Sequence, residues 1–282
     1  MSEMPQFADW LKTLSTSSKH PFVRDSEKMI QYFFELEKKL PPMYGWRVTS
    51  DEAFQKQLFT MADKVTSTEI AYDALNRLYW HDKARNLEAY GLMTYWRGAE
   101  LLRSAIKLLN EKQVLAPAIL SRSLLELGAI IIVSSNVIHK TVKEALTLKK
   151  GVITSKELDE LVNRLIWGGK VITPTIKPID SREYRDFISK NPNASEFPEV
   201  YRFLCDLTHP NALGNARFWE SSVINNEDGS KTVTIQRDAE SALIKEIREK
   251  ILWALGWSAV CIRNGFEINQ NTVQIILKRW PL

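Results

Sequence analysis

The sequence predicts an all-α fold: a multi-helix bundle around a buried central helix, with one β-hairpin insertion. Three observations predict it. Residues 115–136, LAPAILSRSLLELGAIIIVSSN, are apolar on every side when wound as a helix, the pattern of a helix buried in a core. Apolar positions recur at spacings of three and four through most of the remaining chain, the helical period. A convincing β pattern occurs once, around the Asp228–Gly229 dipeptide, a strong hairpin signal.

The buried helix carries Arg122 and Glu126, four apart and so on one face. A guanidinium and a carboxylate in a core need partners, because an uncompensated buried charge is strongly destabilising. Both are therefore expected to be buried, with at least one bonded to the later stretch 201–211 or the loop after it.

In chain order, residues 7–14 form a short amphipathic segment and a polar loop follows. Pro21 opens a helix to about residue 40, with Met29, Ile30, Phe33, Phe34 and Leu36 on its apolar side. Pro41 and Pro42 stop it, since proline disfavours helix in the residue before it. Residues 41–50 read as a linker. Thr49 with Glu52, and Thr66 with Glu69, have capping-box spacing and start helices over about 50–65 and 67–80. A long proline-free helical stretch, 81–110, presents Leu87, Tyr90, Gly91, Thr94, Tyr95 and Gly98 as a face suited to close helix contact. Pro117 falls in the first turn of the buried helix, where its missing N–H costs little.

Helical pattern resumes at about 136–148. Thr154 with Glu157 caps a helix to Trp167, and Gly168–Gly169 end it. Residues 170–180 form a loop with prolines, and helices follow over about 180–190 and 195–208. The hairpin, about 218–235, sets Ser222, Val223 and Ile224 against Thr232, Val233 and Thr234. An isolated hairpin is marginal, so it is expected to lie on the helical body. The last helix runs from about 240 to 264, with Gly265 as its C-cap and a final turn at 272–277. This divides the chain into an N-terminal helical extension, 1–65, and a main helical domain, 66–282.

Composition is that of an ordinary globular chain: 44% hydrophobic and 26% charged over 282 residues. The net charge of +4 is interspersed, without the clustered patch that marks a nucleic-acid footprint. Cys205 and Cys261 both sit in apolar helical pattern and read as small buried hydrophobes. They make no disulfide framework, which points to a reducing compartment. The N-terminus, MSEMPQFADW, has neither the basic nor the apolar region of a secretory signal. The longest uninterrupted apolar run, 127–133, is far short of a bilayer span. A cytoplasmic protein without a membrane partner is expected.

Residues 201–211, YRFLCDLTHPN, carry the functional reading. Arg202, Asp206 and His209 stand at i, i+4 and i+7 and share one helical face. Leu204 and Leu207 face the core. Pro210 stops the helix and places His209 in its last turn, where the helix dipole and Asp206 both favour imidazolium. A histidine so placed can act as general acid or base near neutral pH. The plainer reading has His209 capping carbonyls, Arg122 and Glu126 forming a structural ion pair, and Asn211 and Asn215 serving as turn residues. His20, His81 and His139 read as loop, surface or boundary residues. Trp253 and Trp257, four apart, read as core rather than a base-stacking platform. No histidine or cysteine pair has metal-ligand spacing, and no phosphate-binding glycine loop or nucleophile elbow occurs, so neither metal nor cofactor is expected.

The seven-residue Arg202–His209 step, together with R-S-L-L-E on the buried helix and Y-x-x-L-x-x-x-x-H-P later, resembles an uncharacterised bacterial branch of the HEPN superfamily over about residues 85–265. That superfamily is helical and includes many metal-independent ribonucleases. The resemblance implies an endoribonuclease, a toxin or phage-defence effector, acting on RNA as a homodimer. Arg202 and His209 would be catalytic, with Arg122, Glu126, Asp206 and Asn211 binding or supporting them. One position departs from the family: Arg202 is followed by Phe203, where active members commonly carry a polar residue, often Asn. The alternative is a non-catalytic HEPN-like module that binds a nucleotide or a protein partner.

Overall fold

The computed structural model describes residues 4–49, 51–62, 67–148, 151–169, 174–180, 183–184, 188, 194–209, 220–236 and 242–281. The fold is all-α, and the described residues contain one two-stranded sheet. The chain divides into two compact units. Unit one comprises Met1–Lys38, Arg97–Ala129 and Ser181–Cys261; unit two comprises Lys39–Trp96, Ile130–Asp180 and Ile262–Leu282. A division at residue 65 therefore coincides with no boundary between units.

Unit one begins with α1 (Asp9–Ser17), α2 (Pro21–Arg24) and α3 (Ser26–Glu37). The helix expected over 21–40 is thus two helices, because Asp25 leaves helical geometry at φ −100°, ψ 9°. The break is sealed by buried hydroxyls: Ser15 Oγ and Ser26 Oγ both donate to the Val23 carbonyl, at 2.7 and 2.8 Å. Ile30, Phe33 and Phe34 are fully buried, each contributing about 1.5–3 kcal/mol. The start of the chain is fastened to α5 (Thr68–Asn110), where Asn110 Oδ1 accepts the Ala8 N–H at 2.8 Å. The end of α5 turns on Lys112, at φ 63°. The N–H groups of Lys112 and Gln113 close back onto the carbonyls of Leu109 and Leu108, a Schellman turn with lysine in the usual glycine place.

The central helix is α6 (Leu115–Leu146), continuous through residue 136, where the sequence suggested a break. Leu125 and Ile131 are fully buried, as expected of its core face. It is not buried all round, however: Ile119 is 51% and Val137 44% exposed. By length and composition α6 could cross a membrane, with a mean hydropathy of 1.7 over its most apolar 18 residues. Half of that window is buried inside the protein, and the core helix of a globular protein passes the same test.

Unit one also holds α8 (Phe197–Thr208) and the hairpin of β1 (Glu220–Asn225) and β2 (Lys231–Ile235). The register is the expected one: Ser222 with Thr234, Val223 with Val233, Ile224 with Thr232. Gly229 turns the chain at φ +80°, and Asp228 Oδ1 accepts from both the N–H and the hydroxyl of Ser230. The hairpin does not lie down on a helical surface. Val223, Ile224, Val233 and Ile235 are 43–66% exposed, because the cross-strand ladder satisfies the backbone without burying either face.

In unit two, α4 (Asp51–Ala62) precedes α5, whose first turn is capped by Ser67 Oγ accepting from the Ile70 N–H at 3.4 Å. Thr66, the expected cap, lies outside the described residues. The two segments expected over 67–110 are one helix of 43 residues, which no proline or capping residue interrupts. Helix α7 (Lys156–Trp167) is capped by Ser155, one residue after the expected Thr154, through a 3.2 Å bond from the Leu158 N–H. Gly168 ends α7, since a Cβ there would stand 2.6 Å from the Pro178 Cα. The helix expected over 180–190 lies mostly outside the described residues. Trp80, Leu87, Ile138, Val142, Leu158, Val162, Ile276 and Trp280 form the core of this unit, with Trp80 and Trp280 stacked at 5.1 Å.

The last helix, α9 (Ala242–Arg279), passes straight through Gly265, which is therefore not a C-cap. Glycine is needed there for close approach: a Cβ would lie 2.9 Å from Ile131 Cγ1 and 3.1 Å from the Ile131 backbone. Gly265→Leu should cost about 1–3 kcal/mol by overpacking against α6. Urea melts check this, and an unchanged midpoint would place the two helices farther apart.

Candidate functional site

The site is built by α8 against residues 115–129 of α6, which lie with α8 in unit one. Val200, Leu204 and Leu207 bury one side of α8. Phe197 anchors its first turn, with its ring 4.9 Å from Trp257, which stacks on Trp253 at 6.0 Å. Both tryptophans are core, 2–3% exposed. His20 holds the residue before α8, with Nε2 2.5 Å from Glu196 Oε1 and its ring beside Phe22 and Trp253. The loop histidine of the sequence reading thus ties the N-terminal segment to the start of α8.

On the flank facing α6, Tyr201 donates its hydroxyl to Glu126 Oε1 at 2.8 Å. This is a bond between the buried helix and the 201–211 stretch, of the kind the spacing led one to expect. Burial of the pair is a different matter. The side chains of Arg122 and Glu126 are 33% and 34% exposed, because α6 turns this face toward the edge of its packing. Arg122 Nε lies 3.5 Å from Glu126 Oε1 but is not aligned for a hydrogen bond. The guanidinium sits over the Tyr201 ring, 6.0 Å from its centre. Burial works against the Arg122 charge, yet Cys205, Glu126 and Tyr201 together hold its pKa above the ordinary value.

Cys205 belongs to this group, which its apolar surroundings in sequence concealed. It is half-buried rather than buried. Burial raises its thiol pKa, and Arg122 and Tyr201 pull the other way without prevailing. The thiol is therefore protonated and a poor nucleophile at neutral pH. Tyr201 and Cys205 stand four apart, one position before Arg202 and Asp206. That offset was the signal for a second, inward-facing polar row. Cys261, by contrast, is a buried hydrophobe, its thiol pKa raised by burial.

Arg202, Asp206 and His209 are all exposed. Among the described residues none gives their side chains a hydrogen bond or an ion pair. His209 lies just past the helix rather than in its last turn. Its backbone is extended, at φ −89° and ψ 147°, and its N–H closes on the Cys205 carbonyl at 3.2 Å. Asn211, with Pro210 and Asn215, lies outside the described residues. The result is an exposed guanidinium and carboxylate on one flank of α8 and an exposed imidazole just past its end, none with a side-chain partner among the described residues; such groups can engage an anion or transfer a proton. Among the described residues no cluster of histidine, cysteine or carboxylate could hold a metal ion.

The other histidines are in unit two. His81 is half-buried. His139 is no plain surface residue: its Nδ1 is 2.8 Å from Thr272 Oγ1, whose own proton goes to the Ile268 carbonyl at 2.8 Å. Nδ1 must therefore carry hydrogen, which leaves Nε2 as the titrating atom. Burial, then Lys143, lowers the His139 pKa.

Tyr201→Phe should cost about 0.5–1.5 kcal/mol, the size of one hydrogen bond. Arg122→Ala should cost no more than about 1 kcal/mol, as for an exposed ion pair, and larger losses in urea melts would place the pair in the core. For His139, the folded state resists protonation, so stability is full above about pH 6.5 and falls as pH drops from there to the lowered folded value. His139→Gln should flatten that slope, and an identical pH profile for both proteins would remove the assignment. No family model, curated protein or solved structure matches this chain, so its own geometry carries the functional reading.

Proposed function

We propose that the protein is a metal-independent endoribonuclease of HEPN type, with Arg202 and His209 as its reacting pair. The observation that carries this reading is that Arg202 and Asp206 on one flank of α8, and His209 just past its end, are exposed and have no side-chain partner among the described residues. An exposed guanidinium and imidazole are accessible to a substrate from solvent. Cleavage of RNA without a metal needs a base for the 2′-hydroxyl proton and a cation for the charge gathering on the phosphate. His209 supplies the base. Arg202 supplies a planar, bidentate partner for phosphate oxygens. Asp206 lies between them on the same exposed flank. Arg122, Glu126 and Tyr201 hold α8 in place from behind.

The same geometry favours a homodimer. Helical side chains lean toward the helix N-terminus, so Arg202 leans away from His209 of its own chain. Helix rise separates the two positions by about 10 Å along the axis. An arginine from a second copy is better placed to meet a phosphate held at His209. The second reading, a non-catalytic module for a nucleotide or protein, rests on Phe203, where active members of the superfamily commonly carry a polar residue. A toxin or phage-defence role goes with the nuclease reading.

The test incubates purified full-length protein with total RNA in EDTA. Wild type should cleave. His209→Ala and Arg202→Ala should each fall by at least about 10²-fold, the effect of removing a general base or a transition-state cation. Because both residues are exposed, the variants should keep the wild-type melting temperature. Equal cleavage by all three would expose a contaminant. No cleavage by any would leave the binding module.

A further inference from the structure

We propose that unit two contains an internal hydration site, formed by Asn269 of α9 and Ser135 of α6 beside the α5 backbone at Gly91, which binds ordered water. Asn269 is fully buried, and neither its amide nitrogen nor its amide oxygen has a hydrogen-bond partner among the described residues. An amide offers two donors and two acceptor lone pairs, so its whole polar capacity is left open in an apolar setting. Ser135 is also fully buried, and its hydroxyl has no hydrogen-bond partner among the described residues.

Two bracketing contacts put these side chains at one level. Gly265 meets Ile131, and Thr272 Oγ1 meets His139 Nδ1. Ser135 is midway between residues 131 and 139, and Asn269 falls between 265 and 272. Gly91 brings the α5 backbone close on the third side: a Cβ placed on it would stand 3.2 Å from the Phe266 ring and 3.9 Å from Asn269 Nδ2.

The neighbours show that this openness is specific. Ser134, Asn136 and Thr272 each donate to the carbonyl four residues back, at 2.6, 2.7 and 2.8 Å. Ser135 and Asn269 lie on the same helices, are fully buried and make no such bond among the described residues, which leaves their polar atoms open to a ligand. The ligand must be small, because Gly91 and Ser135 bound the site. It must also donate and accept, because Asn269 does both. Water meets both requirements, and a buried water needs two to four such partners.

The test is nuclear magnetic resonance on the full chain with asparagine side chains labelled. The Asn269 side-chain amide should show cross-peaks to water with the sign of a long-lived complex, identified by their loss in Asn269→Leu. Oxygen-17 relaxation dispersion should report fewer long-lived waters in Asn269→Leu than in wild type, and faster water exchange in Ser135→Ala. An Asn269 amide with no water cross-peak would overturn the site, as would equal dispersion amplitudes in wild type and Asn269→Leu. If Asn269→Leu does not fold, asparagine labelling of Ser135→Ala and wild type assigns the amide, and the wild-type cross-peak decides.

Discussion

The contact on which unit one depends is the ring of Trp257 lying against the bare backbone of Gly128. A Cβ at Gly128 would stand 3.3 Å from that ring and 3.3 Å from the Ser258 Cα. From there a closed circuit runs through α8. Trp257 packs on Phe197, Phe197 stacks on Tyr201 at 5.9 Å, and Tyr201 returns to α6 through Glu126. Gly128 and Glu126 are neighbours on the same helix. The circuit therefore sets the height and rotation of α8 from two points on α6. A side chain larger than hydrogen at 128 would displace Trp257 and transmit the shift to the flank carrying Arg202.

Within this circuit dispersion and close packing outweigh charge. Arg122 and Glu126 are a third exposed, and such pairs contribute at most about 1 kcal/mol. Phe197 and Trp257 in the circuit are instead 1% and 3% exposed, and each ring contact adds about 0.5–1.5 kcal/mol beyond burial. The polar group behind α8 thus orients more than it stabilises. On the opposite flank nothing in the described fold competes for Arg202, Asp206 or His209. α8 thus separates an inner row pinned to α6 from an outer, exposed row with no side-chain partner among the described residues.

The hairpin shows the converse. Its ladder is complete, but both faces remain in water. Backbone pairing alone gives little net stability, so this element opens at a small fraction of the global free energy while α6 and α9 stay closed. Apolar residues exposed on it follow from that lack of a covering surface.

Sequence alone determined everything that rests on local periodicity. The helical class, the centrality of 115–136, the hairpin register around Asp228–Gly229 and the common flank of Arg202 and Asp206 follow from spacings of two, three and four, which neighbouring residues enforce. Tertiary structure decided where local signals are ambiguous. Glycine serves a helix end and a close crossing equally, and only Ile131 opposite Gly265 shows which applies. Thr154 and Ser155 are both capping residues, and the entry angle of the chain selects Ser155. An apolar helix does not announce which stripe its neighbours leave uncovered, so Arg122 and Glu126 came out half-exposed. Tyr201, Cys205, His139 and Asn269 acquire their roles from partners 75 or more residues away, or from the lack of one. Such long-range proximity is set by packing, and no local pattern encodes it.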